Sequence, residues 1–264
     1  MKNLFFLILL MVFFGGIQPM LAGPVSEYYL TKWVDRGIAV IQDNSVVRSW
    51  SIAPGSYAQL AIVVNGDVKT YSHYSSGAGA QYSLDGVATG TLYPNQVGQY
   101  PHDGTTDGTY NYAFFYGMNK LYRFGLDWSN PELVFSLSGT SRLGVTYDPT
   151  DDTFWLCGWG NSLVEHYTKT GQFLGSFSTD SYTGSLALDH ADGTLWLSVG
   201  ASDTLKQYSK TGTLLSTLTI SGLGPVYGGE FNFALVGIPE PSSIFLLFIC
   251  IVLLLFSYKK NTRF

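Results

Sequence analysis

Residues 144–177 align with residues 185–218 without a gap, and at this single offset of 41 ten of 34 positions are identical. Asp148, Asp151, Thr153, Trp155, Leu156, Tyr167, Lys169, Thr170, Gly171 and Leu174 recur as Asp189, Asp192, Thr194, Trp196, Leu197, Tyr208, Lys210, Thr211, Gly212 and Leu215. Each copy reads as four short strands rich in aromatic and β-branched residues. In the first copy these cover about 143–147, 153–159, 163–168 and 173–179. They are parted by Asp148-Pro149-Thr150-Asp151-Asp152, Gly160-Asn161-Ser162 and Lys169-Thr170-Gly171-Gln172. One such antiparallel sheet has two apolar faces and cannot bury both alone, so it must stack on copies of itself. A period near 40 built from short strands is that of propeller blades.

Fainter copies extend upstream. Asp107-Gly108-Thr109 repeats the turn Asp192-Gly193-Thr194, and 133–137 supplies a last strand. Segments 37–42, 46–52, 57–64 and 68–73 alternate well enough for another four-stranded unit. Residues 76–104 are less regular, with strands expected at 78–84 and 91–93. The length between the two termini corresponds to about five blades. Gly228-Gly229-Glu230-Phe231-Asn232-Phe233-Ala234-Leu235 is placed to pair with the N-terminal unit, close the ring and remove its exposed edge. The fold expected is all-β, a ring of about five four-stranded blades over residues 23–236. A β-sandwich is the alternative.

The two ends read as address labels. Residues 1–22 have a positive start at Lys2, an apolar run over 4–14 and small residues up to a cleavage site between Ala22 and Gly23, the pattern of a secretory signal. Residues 237–264 carry Pro239-Glu240-Pro241, an uncharged apolar block over 244–258 and a basic tail with Lys259, Lys260 and Arg263. The prolines make a stiff, exposed stretch. The block is expected to be a transmembrane helix with its tail on the cytoplasmic side. This order of motif, helix and terminal basic tail, paired with an N-terminal signal, closely resembles the PEP-CTERM sorting signal of bacterial exosortase substrates. The resemblance implies processing near Pro239-Glu240-Pro241 by an exosortase-type membrane protease. It also implies delivery from an inner-membrane intermediate to the surface or exopolysaccharide matrix of a Gram-negative bacterium.

Charge and cysteine content narrow the partners. Only 12% of residues are charged, against about 25% in ordinary domains, and residues 23–238 carry a net charge of −8. Nucleic acid, whose backbone needs neutralising lysines and arginines, is therefore excluded as an expected partner. Cys157 and Cys250 are the two cysteines. Cys250 falls in the apolar block, so the body has no internal disulfide, and Cys157 reads as a small buried residue.

No residue stands out as catalytic or metal-binding. Asp148, Asp151 and Asp152, and Asp189 and Asp192, offer oxygens that a Ca²⁺ ion accepts, but Asp also favours turns by bonding its own backbone. Turn chemistry is the preferred reading, and no cofactor is expected. His73, His102, His166 and His190 are scattered, without the spacing of a zinc site. Gly77-Ala78-Gly79-Ala80 reads as a Ser/Gly loop, not a phosphate loop. Tyr110, Tyr112, Phe114, Phe115 and Tyr116 crowd one segment, followed by Trp128, Trp155, Trp159 and Trp196. Aromatic platforms bind sugars. Trp155 and Trp196, at one repeat position, read as core, and Trp128 and Trp159 are open. The functional expectation is an exported, non-catalytic binding or structural protein associated with polysaccharide. The alternative is an extracytoplasmic propeller hydrolase or lyase using axial carboxylates, with or without Ca²⁺, with Asp107, Asp148 and Asp189 as the positions whose substitution would test it.

Overall fold

The structure, a computed structural model, describes residues 23–235 except Tyr57, Gln99, Thr140, Ser141, Asp180 and Ser181. The chain runs through β1 (Tyr28–Lys32), β2 (Gly37–Gln42) and β3 (Ser45–Ser51), then β4 (Gln59–Val64), β5 (Val68–Ser72), β6 (Ala78–Tyr82) and β7 (Ala88–Pro94). Next come β8 (Pro101–Thr106), β9 (Asn111–Phe115), β10 (Lys120–Phe124) and β11 (Glu132–Ser136). The two clear repeats follow as β12 (Arg142–Asp148), β13 (Thr153–Gly158), β14 (Leu163–Thr168), β15 (Phe173–Ser178), and β16 (Thr183–Asp189), β17 (Thr194–Val199), β18 (Thr204–Tyr208), β19 (Leu214–Thr219). The last strand is β20 (Val226–Phe231).

These strands form five four-stranded antiparallel sheets, and β20 is the inner strand of the first, in the order β20-β1-β2-β3. This is a five-bladed propeller, which replaces the β-sandwich alternative. The expected ring closure is present: Tyr28 pairs with Phe231 and Leu30 with Gly229. The expected unit over 37–73 is divided otherwise. Segments 37–42 and 46–52 finish the first blade, and 57–64 and 68–73 begin the second. Alternation marks strands but does not distinguish a hairpin from a crossover. Here Pro54-Gly55 lies in the connection that returns the chain from the rim of one blade to the axis of the next. β1 had no expectation, and Ala78, Gly79 and Ala80 lie in β6, not in a loop. The expected transmembrane helix over 244–258 lies outside the described residues, as do Pro239-Glu240-Pro241, the basic tail and Ala22. Among the described residues no helix is long and apolar enough to cross a membrane.

Five buried apolar clusters fill the five gaps between neighbouring blades. Trp155 packs with Leu186, Leu195 and Tyr208 between blades four and five. Trp196 packs with Tyr28, Ala187 and Phe231 between blades five and one. Both tryptophans are core, as expected from their shared repeat position. Trp128 is also core, 1% exposed against Tyr71 and Phe124. Cys157 is fully buried, and desolvation pushes its thiol up to about 12.

The axis is closed by side chains. Asp103 on β8 is 0% exposed. Its Oδ1 accepts from the backbone N–H of Gly104 and Gly229, both at 2.9 Å. Its Oδ2 accepts from Leu186 at 2.9 Å and Val145 at 3.2 Å. One carboxyl group thus binds strands of four blades. The approach needs small neighbours: a Cβ on Gly228 would lie 1.9 Å from the Leu60 carbonyl oxygen. Further along, Thr105 Oγ1 accepts from Tyr147 N–H and Thr146 Oγ1 from Leu188 N–H, each from one blade to the next. Glu230 on β20 is 2% exposed, and its Oε1 accepts from Phe231 N–H. Burial raises both carboxyls, Asp103 well above its ordinary range and Glu230 to about 8, against the pull of their N–H donors.

Two outcomes are expected. Asp103→Asn keeps the shape but turns an N–H₂ toward two N–H donors, and should cost about 3 kcal/mol or more in urea unfolding. Glu230 keeps its proton in the fold up to about pH 8 and loses it near 4.5 when unfolded. Between these values the folded state holds the extra proton, so stability falls as pH rises, by up to about 1.4 kcal/mol per pH unit. Denaturation at pH 5, 6.5 and 8 should show that slope reduced in Glu230→Gln.

Candidate functional site

The inner strands have two chemically different ends. Each finishes on or immediately before an Asp or Asn: Asn65, Asp107, Asp148, Asp189 and Asn232. Four of these side chains bond their own turns. Asp107 Oδ1 accepts from Thr109 and Tyr110 N–H, Asp148 Oδ1 from Thr150 N–H, Asp189 Oδ1 from Ala191 N–H and Asn232 Oδ1 from Ala234 N–H. The expected turn chemistry is what the structure shows.

The recurring Lys-Thr-Gly turns latch each repeat to the blade before it. Lys169 Nζ lies 2.9 Å from Asp107, and Lys210 Nζ lies 2.5 Å from Asp148. The accompanying glycines have φ of +86° and +87°, and a Cβ on either would collide with Phe135 or Phe177 of the preceding blade. Asp189 is met instead by Ser26, whose hydroxyl donates at 2.6 Å. Desolvation raises Asp107 and Asp148, but hydrogen bonds from the lysines and the turns outweigh it and leave both below the ordinary carboxylate range. Phe233 covers this end, packing on Tyr147 and His190. The three acids of the catalytic alternative are therefore occupied by turns, lysines and Ser26 and do not form an open set of axial carboxylates. Asp103 and Glu230, which do reach the axis, are buried.

The opposite end, where the inner strands begin, is an aromatic mouth. Every blade contributes to it. Blade one supplies Trp33 and Tyr227, and blade two His73 and Tyr74. Blade three supplies His102 and Tyr116, with Tyr100 just before β8. Blade four supplies Trp159, and Tyr182 precedes the inner strand of blade five. Trp159 lies 5.6 Å from Tyr227 and 6.1 Å from Tyr182, between ring centroids. Tyr227 meets Trp33 at 5.7 Å and His102 at 5.5 Å. Trp33, Tyr100 and Tyr182 are 37%, 38% and 56% exposed. Beside Trp33 opens a depression of about 300 Å³, lined also by Lys32, Arg36, Ala58, Leu60 and Tyr74.

His73 and His102, 29 residues apart in the chain, form the floor, their rings 4.7 Å apart. Burial lowers His73 and pushes His102 down to about 3, so both are neutral imidazoles near pH 7. The other two histidines sit elsewhere. His166 stacks on Trp155, and His190 packs against Phe233. Of the aromatic candidates from the sequence, Trp159 and Tyr116 belong to the mouth. Tyr112, Phe114 and Phe115 are core, and Tyr110 lies at the far turn under Arg123. Trp33, His73, His102, Tyr182 and Tyr227 went unrecognised as a group because each follows or precedes a different strand.

No family model matches the chain, and no curated protein matches it. Among solved structures, one chain of the nidogen/laminin complex superposes with a TM-score of 0.56 at 9% identity, over 79% of this chain and 99% of that one. Glutaminyl cyclase of Myxococcus xanthus superposes with a TM-score of 0.52 at 15% identity, over 72% and 77%. These likenesses show the fold. They also correct the expectation of a non-catalytic chain. That expectation rested on missing sequence motifs, and an enzyme uses this architecture, so their absence does not exclude catalysis.

The two tryptophan classes should separate by mutation. Trp155→Ala should cost about 3–5 kcal/mol, whereas Trp159→Ala at the partly exposed mouth should cost under about 1.5 kcal/mol, both read by chemical denaturation.

Proposed function

We propose that this chain is an exported surface or matrix protein that binds polysaccharide at the aromatic mouth. The observation that carries the reading is the gathering of Trp and Tyr rings from all five blades at one end of the axis. Most other large aromatics are core, Tyr71, Phe124, Trp128 and Trp196 among them. Amphipathic rings left partly in water favour a ligand with apolar faces and polar edges. A pyranose has both: its C–H face stacks on a ring, and its hydroxyls bond to phenols.

The placement of the chain ends supports display. The start of β1 and the end of β20 pair with each other at the Asp/Asn end of the ring. The described chain therefore enters and leaves on the side opposite the mouth. The sorting step belongs to the same proposal: an exosortase-type protease processes the protein near Pro239-Glu240-Pro241, and the membrane-bound form is an intermediate.

Both parts can be tested. Polysaccharide pull-down and glycan arrays should show binding that falls at least tenfold in Trp159→Ala and Trp33→Ala, with folding retained. Binding to no glycan, or equal binding by these variants, refutes the mouth as a sugar site. Intact-mass analysis of surface material should find the chain ending near the motif. Finding Phe264 still attached refutes the processing step.

A further inference from the structure

The floor of the mouth has chemistry that sugar binding does not require. His73 follows β5 of blade two and His102 is the second residue of β8 in blade three. Their rings are nearly perpendicular, at 82°. The His73 Nδ1 lies 3.4 Å from the Pro101 carbonyl oxygen. That long contact favours the proton on Nδ1 and leaves the lone pair on Nε2. Metal-ligating histidines are usually held in this way, one ring nitrogen donating to a backbone carbonyl and the other facing the ion. The Nδ1 of His102 is buried with no hydrogen-bond partner. An orphaned buried polar atom is costly and calls for a partner.

We propose that His73 and His102 together bind one imidazole-preferring divalent transition-metal ion, Cu²⁺ most tightly, at the floor of the axial mouth. Two imidazoles on one ion, each with a metal–nitrogen distance of about 2.0 Å, place their ring centroids about 5 Å apart, close to the 4.7 Å seen. Trp33 and Tyr100 pack on His73, and Tyr116 and Tyr227 on His102. Among the described residues no group of three or more His, Cys, Asp or Glu is placed to hold a metal. The protein therefore offers two ligands, and solvent or a bound molecule completes the shell. Copper leads zinc and nickel for such nitrogen sites. The inference stands independently of the polysaccharide reading.

The test uses the full chain without an affinity tag, since its four histidines are then the whole set. Titration calorimetry with Cu²⁺ should show one equivalent bound at micromolar affinity, with Zn²⁺ weaker. Electron paramagnetic resonance of the Cu²⁺ complex should show coupling to two nitrogens. His73→Phe should weaken binding at least tenfold, and His166→Gln should leave it unchanged. His102→Phe should weaken it equally if it folds, and His73→Phe decides if it does not. Affinity no tighter than millimolar in the wild type, coupling to fewer than two nitrogens, or unchanged affinity in His73→Phe overturns the proposal. None of these outcomes bears on whether sugar binds the mouth.

Discussion

Asp103 accepts backbone N–H groups from its own strand and from β12, β16 and β20, strands of three other blades. The ring has no covalent closure, and its inner strands meet only where they converge on the axis. A single short acid reaching across that axis ties the first blade to the third, fourth and fifth. It can do so because its neighbours on the other inner strands are small, Gly144, Ser185 and Gly228 among them. The same group would be destabilising if its donors were missing, since a fully buried carboxyl without partners costs more than any one contact returns. The centre is therefore held by polar contacts, and the five gaps around it by apolar ones.

This arrangement separates the two ends. At the Asp/Asn end, turns, lysine latches and Ser26 engage Asp107, Asp148 and Asp189, and Phe233 packs on Tyr147 and His190. At the other end, the aromatic rings are only partly covered, and among the described residues no ion pair joins either histidine to an acid. Structural contacts occupy the polar groups of one end and leave the rings of the other partly in water. The likeness to an enzyme at 15% identity concerns this architecture. What the mouth does depends on its own side chains.

The repeat was legible because the latch depends on it. Lys169 and Lys210 recur with Asp107 and Asp148, and each lysine serves the acid of the preceding blade. The spacing of 41 therefore records a contact as well as a blade length. The second blade was less legible. Its strands alternate well, but Gly79 and a shorter β5–β6 pairing replace the aromatic signature of the later copies. Asp103 and Glu230 gave no signal at all. Nothing local distinguishes an axial acid from one in a turn, and the N–H groups that define Asp103 lie up to 126 residues away.

Composition, strand alternation, turn residues and the recurring period together determined an all-β ring closed by its own C-terminal strand. Those are short-range properties, and each copy states them again. Which side chains meet across the axis was decided only by tertiary structure. The ring brings the beginnings of five inner strands to one place and their ends to another. His73 and His102, unremarkable when read 29 residues apart, become neighbours because adjacent blades begin side by side. That geometry belongs to the closed circle, and no segment of the chain contains it.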